Sequence, residues 1–413
     1  MNYKYSDKDF TRTKTLSFPI TLLIISNFIR KSLSLEIVNF VNIFNKVSIS
    51  KLNTFTKSAF VQSRKKIKPE VFKHLSSVLI DEFYTDNDLS VKLWNGFRLL
   101  AVDGSRINLP NTKELEKIYG RTKNKTGGIV QARTSLLYDL LNKFVLDSKL
   151  VPLSIGENIL ALEHLNHAKK NDLIIYDRSY PSFELVYHHT KKEIDFLIRV
   201  KTTFNNVVKE FVKSGKKNQI VSIKPAKNKS FEGKGYTRDD SIKVRLIAVK
   251  LSDGNIEILM TSLLNSKKYS NKIFKELYFK RWGIETFYDE FKNKLKVEYF
   301  SGYSNNTIRQ DFNVAIFVSN IQSLIVNDLV EEIQEKTKGR QLKYKVNSNL
   351  SYGFLKDRII SLLTEDKDMV EELKTLFASH LVPIRPNRKN KREYGKYRSK
   401  TKPKTYTNRK DAL

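Results

Sequence analysis

Four side chains between residues 278 and 292 have types and spacings suited to phosphate chemistry. Tyr278, Arg281, Glu285 and Lys292 stand at offsets of 0, 3, 7 and 14 from the first of them. In an α-helix, at about 100° per residue, these offsets fall within an arc of roughly 60°, along a stripe about 21 Å long. A phenol, a guanidinium, a carboxylate and an ammonium in line make a poor core and a good surface for a sugar-phosphate strand. Arginine grips a phosphate bidentately, lysine acts as a point charge, and tyrosine hydrogen bonds or stacks. The same pattern also reads as a row of surface ion pairs, which are common at i, i+4 on exposed helices. Asp289, one turn beyond Glu285, is a competing carboxylate on nearly the same face.

Two further acids close short apolar runs: Asp103 after Phe97–Val102 and Asp177 after Leu173–Tyr176. If their strands are neighbours, both carboxylates meet at one sheet edge. Adjacent carboxylates repel unless a cation joins them, and hard divalent ions suit oxygen ligands of this kind. His164 and His167, and the pair His188 and His189, lack an obvious completing ligand. Gly127-Gly128 lacks the lysine and hydroxyl of a phosphate-binding loop. No serine triad stands out.

The elements that must position these residues can be read coarsely. Residues 1–95 read as helical, with Ile37, Phe40, Val41 and Phe44 at i, i+3, i+4 and i+7. Thr56–Lys66 starts with capping residues and ends in Arg64, Lys65 and Lys66, as in the second helix of a helix-turn-helix. The alternative is a helix with a solvated basic face. From residue 97 the order is β-β-β-α-β-α-β: runs at 97–103, with a turn at Gly104-Ser105, then 129–138, 144–150, 157–170, 173–176, 183–191 and 195–200. Elements in this order build a sheet with helices packed on it. Residues 202–264 read as strands without a helix between them, an inserted β-meander. Asn271–Val297 reads as one long helix, followed by helical stretches at 307–337 and 353–379.

Composition bounds the partner. The 413 residues carry 75 Lys and Arg against 44 Asp and Glu, a formal charge of +31, yet 40% are hydrophobic. That describes a folded chain with a strong positive field, which attracts polyanions. There is no cysteine, so thiolate zinc sites, iron–sulfur clusters, disulfides and cysteine nucleophiles are excluded. The longest apolar run, Leu16–Ile29, is interrupted by Ser17, Pro19, Thr21, Ser26 and Asn27 and is short for a membrane span. It reads as a buried helix, which leaves nucleic acid as the expected polyanion. The last 30 residues, 384–413, hold twelve Lys and Arg and two acids and read as a disordered basic arm.

These blocks carry a resemblance. Val102-Asp-Gly-Ser-Arg-Ile-Asn-Leu-Pro110, Tyr176-Asp-Arg-Ser-Tyr-Pro-Ser182 and Tyr278-x2-Arg281-x3-Glu285-x6-Lys292 resemble, in order, the motifs of the DDE-class transposases of the insertion sequence 4 family. The last block is that family's Y-R-E-K pattern at every position. The second has Ser179 where the family commonly has glycine. The likeness extends over roughly residues 10–400 and includes Lys57-Ser-Ala-Phe60.

The resemblance implies an α/β fold: an RNase H-like catalytic core with a β-strand insertion, flanked by an N-terminal helical domain and C-terminal helices. The expected divisions are a helical DNA-binding domain at 1–95 and core segments at 96–201 and 265–300. The insertion lies at 202–264, a C-terminal helical region at 301–383 and the basic arm at 384–413. By this likeness Asp103, Asp177 and Glu285 form a catalytic triad binding two Mg²⁺ (or Mn²⁺) ions. Tyr278, Arg281, Lys292 and Arg178 contact DNA, joined by Arg64, Lys65 and Lys66 of the N-terminal region. The implied activity is DNA cleavage and strand transfer at the ends of an insertion sequence, of the cut-and-paste type. The partners are double-stranded DNA with terminal inverted repeats and target DNA. A homodimer in a synaptic complex, no membrane association and a bacterial cytoplasmic, nucleoid-associated location complete the expectation. Two alternatives are a catalytically inactive DNA-binding derivative and an RNase H-like nuclease without strand transfer. Some relatives place a tryptophan in the insertion; here the tryptophans are Trp94 and Trp282, and Phe204, Phe231 and Tyr236 are the aromatics available as substitutes.

Overall fold

The computed structural model describes residues 3–11, 16–86, 90–124, 127–226, 230–251, 254–364 and 367–385. Most of the expected basic arm, residues 386–413, therefore lies outside the described residues. The elements run α1 (Phe18–Ser26), α2 (Leu33–Val47), α3 (Lys57–Arg64), α4 (Glu70–Asp86), β1 (Arg98–Asn108), α5 (Lys113–Tyr119), β2 (Arg121–Asn124), β3 (Gly127–Asp139) and β4 (Val145–Pro152). Then come α6 (Glu157–His164), β5 (Asp172–Tyr176), α7 (Phe183–Lys191), β6 (Asp195–Val200), α8 (Asn206–Lys213), β7 (Asn218–Ile223), β8 (Ile242–Lys250) and β9 (Ile256–Thr261). The chain ends with α9 (Ile273–Phe279), α10 (Trp282–Asn293), α11 (Asn305–Asp328), α12 (Val330–Lys336), β10 (Tyr344–Val346), α13 (Ser348–Leu362), α14 (Lys367–Ser379) and β11 (Leu381–Pro383). Two compact units result. The first draws on Met1–Val91, Arg106–Ala132 and Asp289–Leu413, the second on Lys92–Ser105 and Arg133–Tyr288.

The second unit holds the sheet that matters for the site. From β3 its strands run β3-β1-β5-β6-β9-β8-β7, and β4 pairs with β3. The order β4-β3-β1-β5-β6, with β1, β5 and β6 parallel, is that of an RNase H-like core. The central runs are apolar because both faces are covered: Leu99–Val102 and Leu173–Tyr176 are fully buried. The β3–β4 hairpin turns at Asp139–Asn142, between the runs at 129–138 and 144–150. Asp139 Oδ1 accepts from the N–H groups of Leu141 and Asn142, both at 2.8 Å.

The inserted strands extend the sheet, β9 pairing antiparallel with β6 and β8 with both β9 and β7. The insertion also contains α8, which the sequence reading lacks. Asn205 caps it by accepting from Val208 N–H at 2.9 Å, and Val208 and Phe211 are its buried residues. Val207, Val208, Phe211 and Val212 form a helical stripe at i, i+1, i+4 and i+5, a signal that the reading of 202–264 as strands passes over.

Two other expectations are corrected. β1 does not end at Asp103 but continues to Asn108, so Gly104-Ser105 is strand rather than turn. Asn271–Val297 is not one helix: α9 ends at Phe279 and α10 begins at Trp282. Across the break the bonds tighten to three-residue spacing, with Arg281 N–H on Tyr278 O, Gly283 N–H on Lys280 O and Ile284 N–H on Arg281 O. Packing is close at the break: a Cβ on Gly283 would lie 3.0 Å from Leu140 Cδ2. The tightened turn keeps Leu277 and Ile284 buried and leaves Phe279 and Trp282 exposed.

In the first unit α11 is the central helix. Its interior face carries amides as well as apolar residues. Gln310 donates to Arg64 O and Ile67 O, Asn313 to Pro69 O, and Asn320 to Ser76 Oγ. Among the described residues no single helix is long and apolar enough to cross a membrane. The apolar run at 16–29 forms α1, with Ile24, Ile25, Phe28 and Ile29 buried.

Candidate active site

Parallel pairing of β1 with β5 brings the first two acids to one end of two neighbouring strands. The register runs from Arg98↔Asp172 to Ala101↔Ile175. Asp103 lies two residues beyond it in β1, and Asp177 directly follows β5. Asp103 Oδ1 accepts from Gly104 N–H at 2.9 Å, and its backbone carbonyl accepts from Tyr288 Oη at 2.9 Å. Burial pushes the Asp103 carboxyl up to about 6. The Gly104 N–H and the Arg281 guanidinium oppose the rise, while the charges of Asp177 and Glu285 add to it. Asp177 is held locally, its Oδ1 accepting from Ser179 N–H at 2.7 Å and Ser179 Oγ at 2.6 Å. Where the resembled family commonly has glycine, this chain thus adds a hydroxyl donor to its second acid.

The break between α9 and α10 presents the remaining groups. Arg281 Nη2 lies 2.5 Å from Glu285 Oε1, and Nη1 lies 3.9 Å from Asp103 Oδ2, so one guanidinium stands between two of the acids. It also lies over the Tyr278 ring, 5.8 Å from its centroid. Burial alone lowers the affinity of Arg281 for its proton; the neighbouring Tyr278, Glu285 and Asp103 outweigh it and raise it. Burial raises the Tyr278 phenol. Tyr278 Oη and Arg281 Nε are buried and have no hydrogen-bond partner among the described residues. Buried donors left open in this way are uncommon and mark a place where a non-protein acceptor fits.

The remaining expected residues have varied surroundings. Lys292, on α10, donates to Arg106 O at 2.8 Å, and burial pushes its ammonium down. Asp289, the competing carboxylate, accepts from Asn293 Nδ2 at 2.7 Å. Arg178 and Lys65 are exposed. Lys66 is exposed too, 3.6 Å from Asp9 Oδ1 and over the Phe10 ring. Arg64 is a correction. Only 3% exposed, its guanidinium donates to Gln310 Oε1, Ser301 Oγ and Asp311 Oδ1. It is a buried structural arginine and presents no face to DNA.

Three groups escape the sequence reading. Tyr288 is three residues beyond Glu285 and thus on its helical face, a spacing that could have revealed it. Tyr180 lies within the second block, and its fully buried hydroxyl has no partner among the described residues. The third is a string of hydroxyl, imidazole and carboxylate: Ser135 Oγ to His164 Nε2 at 3.0 Å, and His164 Nδ1 to Asp147 Oδ2 at 2.8 Å. It has the order of a nucleophilic triad, but Ser135 and His164 are fully buried, and burial lowers the imidazole's proton affinity. It ties β3, β4 and α6 together and offers no open nucleophile.

Among the described residues no three acidic, histidine or cysteine side chains stand close enough to hold one ion as they are placed. The donor set nevertheless suits a hard divalent cation. It consists of carboxylates whose charges raise the proton affinity of Asp103, with a guanidinium supplying positive charge between Asp103 and Glu285.

Comparison with known proteins shows the family. A family model described as Transposase DDE domain matches residues 94–321, which include all three acids and Tyr278, Arg281 and Lys292. The transposase InsG for insertion sequence element IS4 of Escherichia coli (strain K12) is 22% identical over 245 residues, 58% of this chain and 53% of that protein. The chain thus spans about half the length of this curated relative. A cryo-EM structure of a piggyBac transposase synaptic complex with hairpin DNA is similar with a TM-score of 0.41 and 10% identity, covering 86% of this chain and 71% of that one. The motifs, the strand order and the family match agree: the chain belongs to the DDE transposase domain family.

Proposed function

We propose that the protein is a metal-dependent transposase that cleaves DNA at the ends of an insertion sequence and joins the freed strand to a target. The observation that carries this reading is the electrostatic coupling of Asp103 with Asp177 and Glu285, with Arg281 set between two of them. Asp103, Asp177 and Glu285 would hold the divalent ions, Mg²⁺ or Mn²⁺. Two such ions supply activation of the attacking oxygen and neutralisation of the leaving oxygen in an in-line displacement at phosphorus.

The chain's own part is positioning. Tyr278 Oη and Arg281 Nε, both open donors, would take up phosphate oxygens of the bound strand. Lys292 would bind further along α10, and Arg178, Lys65 and Lys66 would add sequence-independent contacts. The helical segment 1–95 would recognise terminal inverted repeats. The core segments 96–201 and 265–300 would carry the chemistry, flanked by the insertion 202–264 and the region 301–383. A homodimer would hold two ends in a synaptic complex within the bacterial nucleoid.

The test is a cleavage and strand-transfer assay on DNA carrying the element's ends, with and without Mg²⁺. D103N, D177N and E285Q should each fold, bind DNA and lose cleavage by about 10³-fold or more. Three folded variants with wild-type cleavage would overturn the triad.

A further inference from the structure

We infer that Glu157, at the first position of α6, is a fourth carboxylate of this site and helps to hold a divalent cation beside Asp103. The inference rests on the function proposed above and adds a residue that the Asp-Asp-Glu pattern does not contain. Gly104 carries the geometry. Its N–H donates to Asp103 Oδ1 at 2.9 Å, and a Cβ on it would lie 3.2 Å from Glu157 Oε1 and 3.3 Å from Cδ and Cγ. The two carboxyl groups therefore lie against one residue that has no side chain to separate them.

Neither carboxylate is closely neutralised. Arg281 Nη1 is 3.9 Å from Asp103 Oδ2, and Arg133 Nε is 4.0 Å from Glu157 Oε1. Arg133 Nη1 is engaged elsewhere, on Ile155 O at 2.7 Å. The Glu157 side chain is 37% exposed, so an ion can reach it from solvent.

A second observation points to a missing ligand. Tyr180 Oη is fully buried without a partner among the described residues. After burial itself, the influences acting most strongly on it are the charges of Asp103 and then Glu157, with Asp177 also contributing. An open, buried hydroxyl under these charges is completed by a non-protein oxygen, water or substrate. A hard cation in the same place would offset the crowded negative charge.

The test is Mn²⁺ binding to the full chain, stripped with EDTA and followed by the electron paramagnetic resonance of free Mn²⁺, with no DNA present. E157Q should weaken Mn²⁺ binding by about tenfold, and D103N by at least as much. E157D, which keeps the charge and shortens the reach, should fall between wild type and E157Q, and serves if E157Q does not fold. G104A should weaken binding in the wild-type background by pressing a methyl group on Glu157, and should add nothing once Glu157 is alanine. If E157Q, folded by thermal unfolding, binds Mn²⁺ within twofold of wild type while D103N is impaired, Glu157 lies outside the site and the proposed function stands. If D103N binds normally as well, the metal reading fails with it.

Discussion

Strands β1 and β5 meet an arginine and an acid at one end and two acids at the other. At the first end Arg98 grips Asp172 through Nε and Nη2 at 2.8 and 2.7 Å, and Lys169 N–H adds a third bond at 2.8 Å. Both residues are buried, at 8% and 1% exposure. At the other end Asp103 and Asp177 have the same separation in sequence, 74 residues, that Arg98 and Asp172 have. The register that locks the charged pair therefore also sets the two acids side by side. The closed end has every charge matched and fixes the strands. The open end leaves negative charge over, which a fold tolerates only where function uses it. Satisfaction of charge, rather than charge itself, separates scaffold from site. Two of the three arginines on which the sequence places DNA contacts teach the same lesson. Arg64 is bonded through three of its nitrogens, whereas Arg281 keeps Nε open.

Substitutions at the two ends should move stability in opposite directions. D172N leaves Arg98 buried without its charge partner and should cost about 3–5 kcal/mol in denaturant unfolding. A loss below 1 kcal/mol would remove the distinction. D103N in metal-free buffer should stabilise, by up to about 3 kcal/mol at pH 8. The sign follows from the shift. The folded carboxyl is raised to about 6 from 3.8, so its stabilising, protonated form is fully present below pH 4 and lost as pH rises through 6. The advantage of D103N should accordingly fade on acidification from pH 7 to 4, and a D103N protein less stable than wild type at pH 8 would contradict this account.

Smaller effects sharpen the open end. Y288F removes the donor to Asp103 O and should cost about 1 kcal/mol, measured by thermal unfolding. S179G keeps the backbone bond to Asp177 but deletes the hydroxyl. At this exposed position the loss should stay under about 1 kcal/mol, seen as no more than about a fivefold fall in cleavage rate. A hundredfold fall would mean that Ser179 does more than orient its neighbour.

Much of the core was legible because its signals are local. Leu173–Tyr176 and Asp195–Val200 are short apolar runs bounded by acids, and α7 begins at a capping serine. What escaped depends on partners distant in sequence. β1 runs on past Asp103 through a glycine and a serine that read as a turn. The break at Lys280-Arg281 lies where Gly283 packs close to Leu140, 143 residues before it. Arg64 opens a basic run that looks solvated, and only Asp311, Gln310 and Ser301 reveal it as interior. For the site, the motif residues were visible by type and spacing. Tyr180 and Glu157 were not, since a buried phenol or a helix-starting glutamate has no distinctive neighbours in sequence, whereas Tyr288 carried a signal in its place three residues beyond Glu285.

The interruption between α9 and α10 has a consequence for the third acid. In an unbroken helix Glu285 would sit three turns from the start, where the backbone dipoles of adjacent turns cancel. Because a new helix begins at Trp282, Glu285 falls in its first turn. There the N–H groups of Gly283 and Ile284 turn back onto Lys280 O and Arg281 O, so the break spends them within the backbone and leaves Glu285 to the Arg281 guanidinium one turn before it. The interruption thus makes a side chain, rather than the backbone, the cation that meets the third acid.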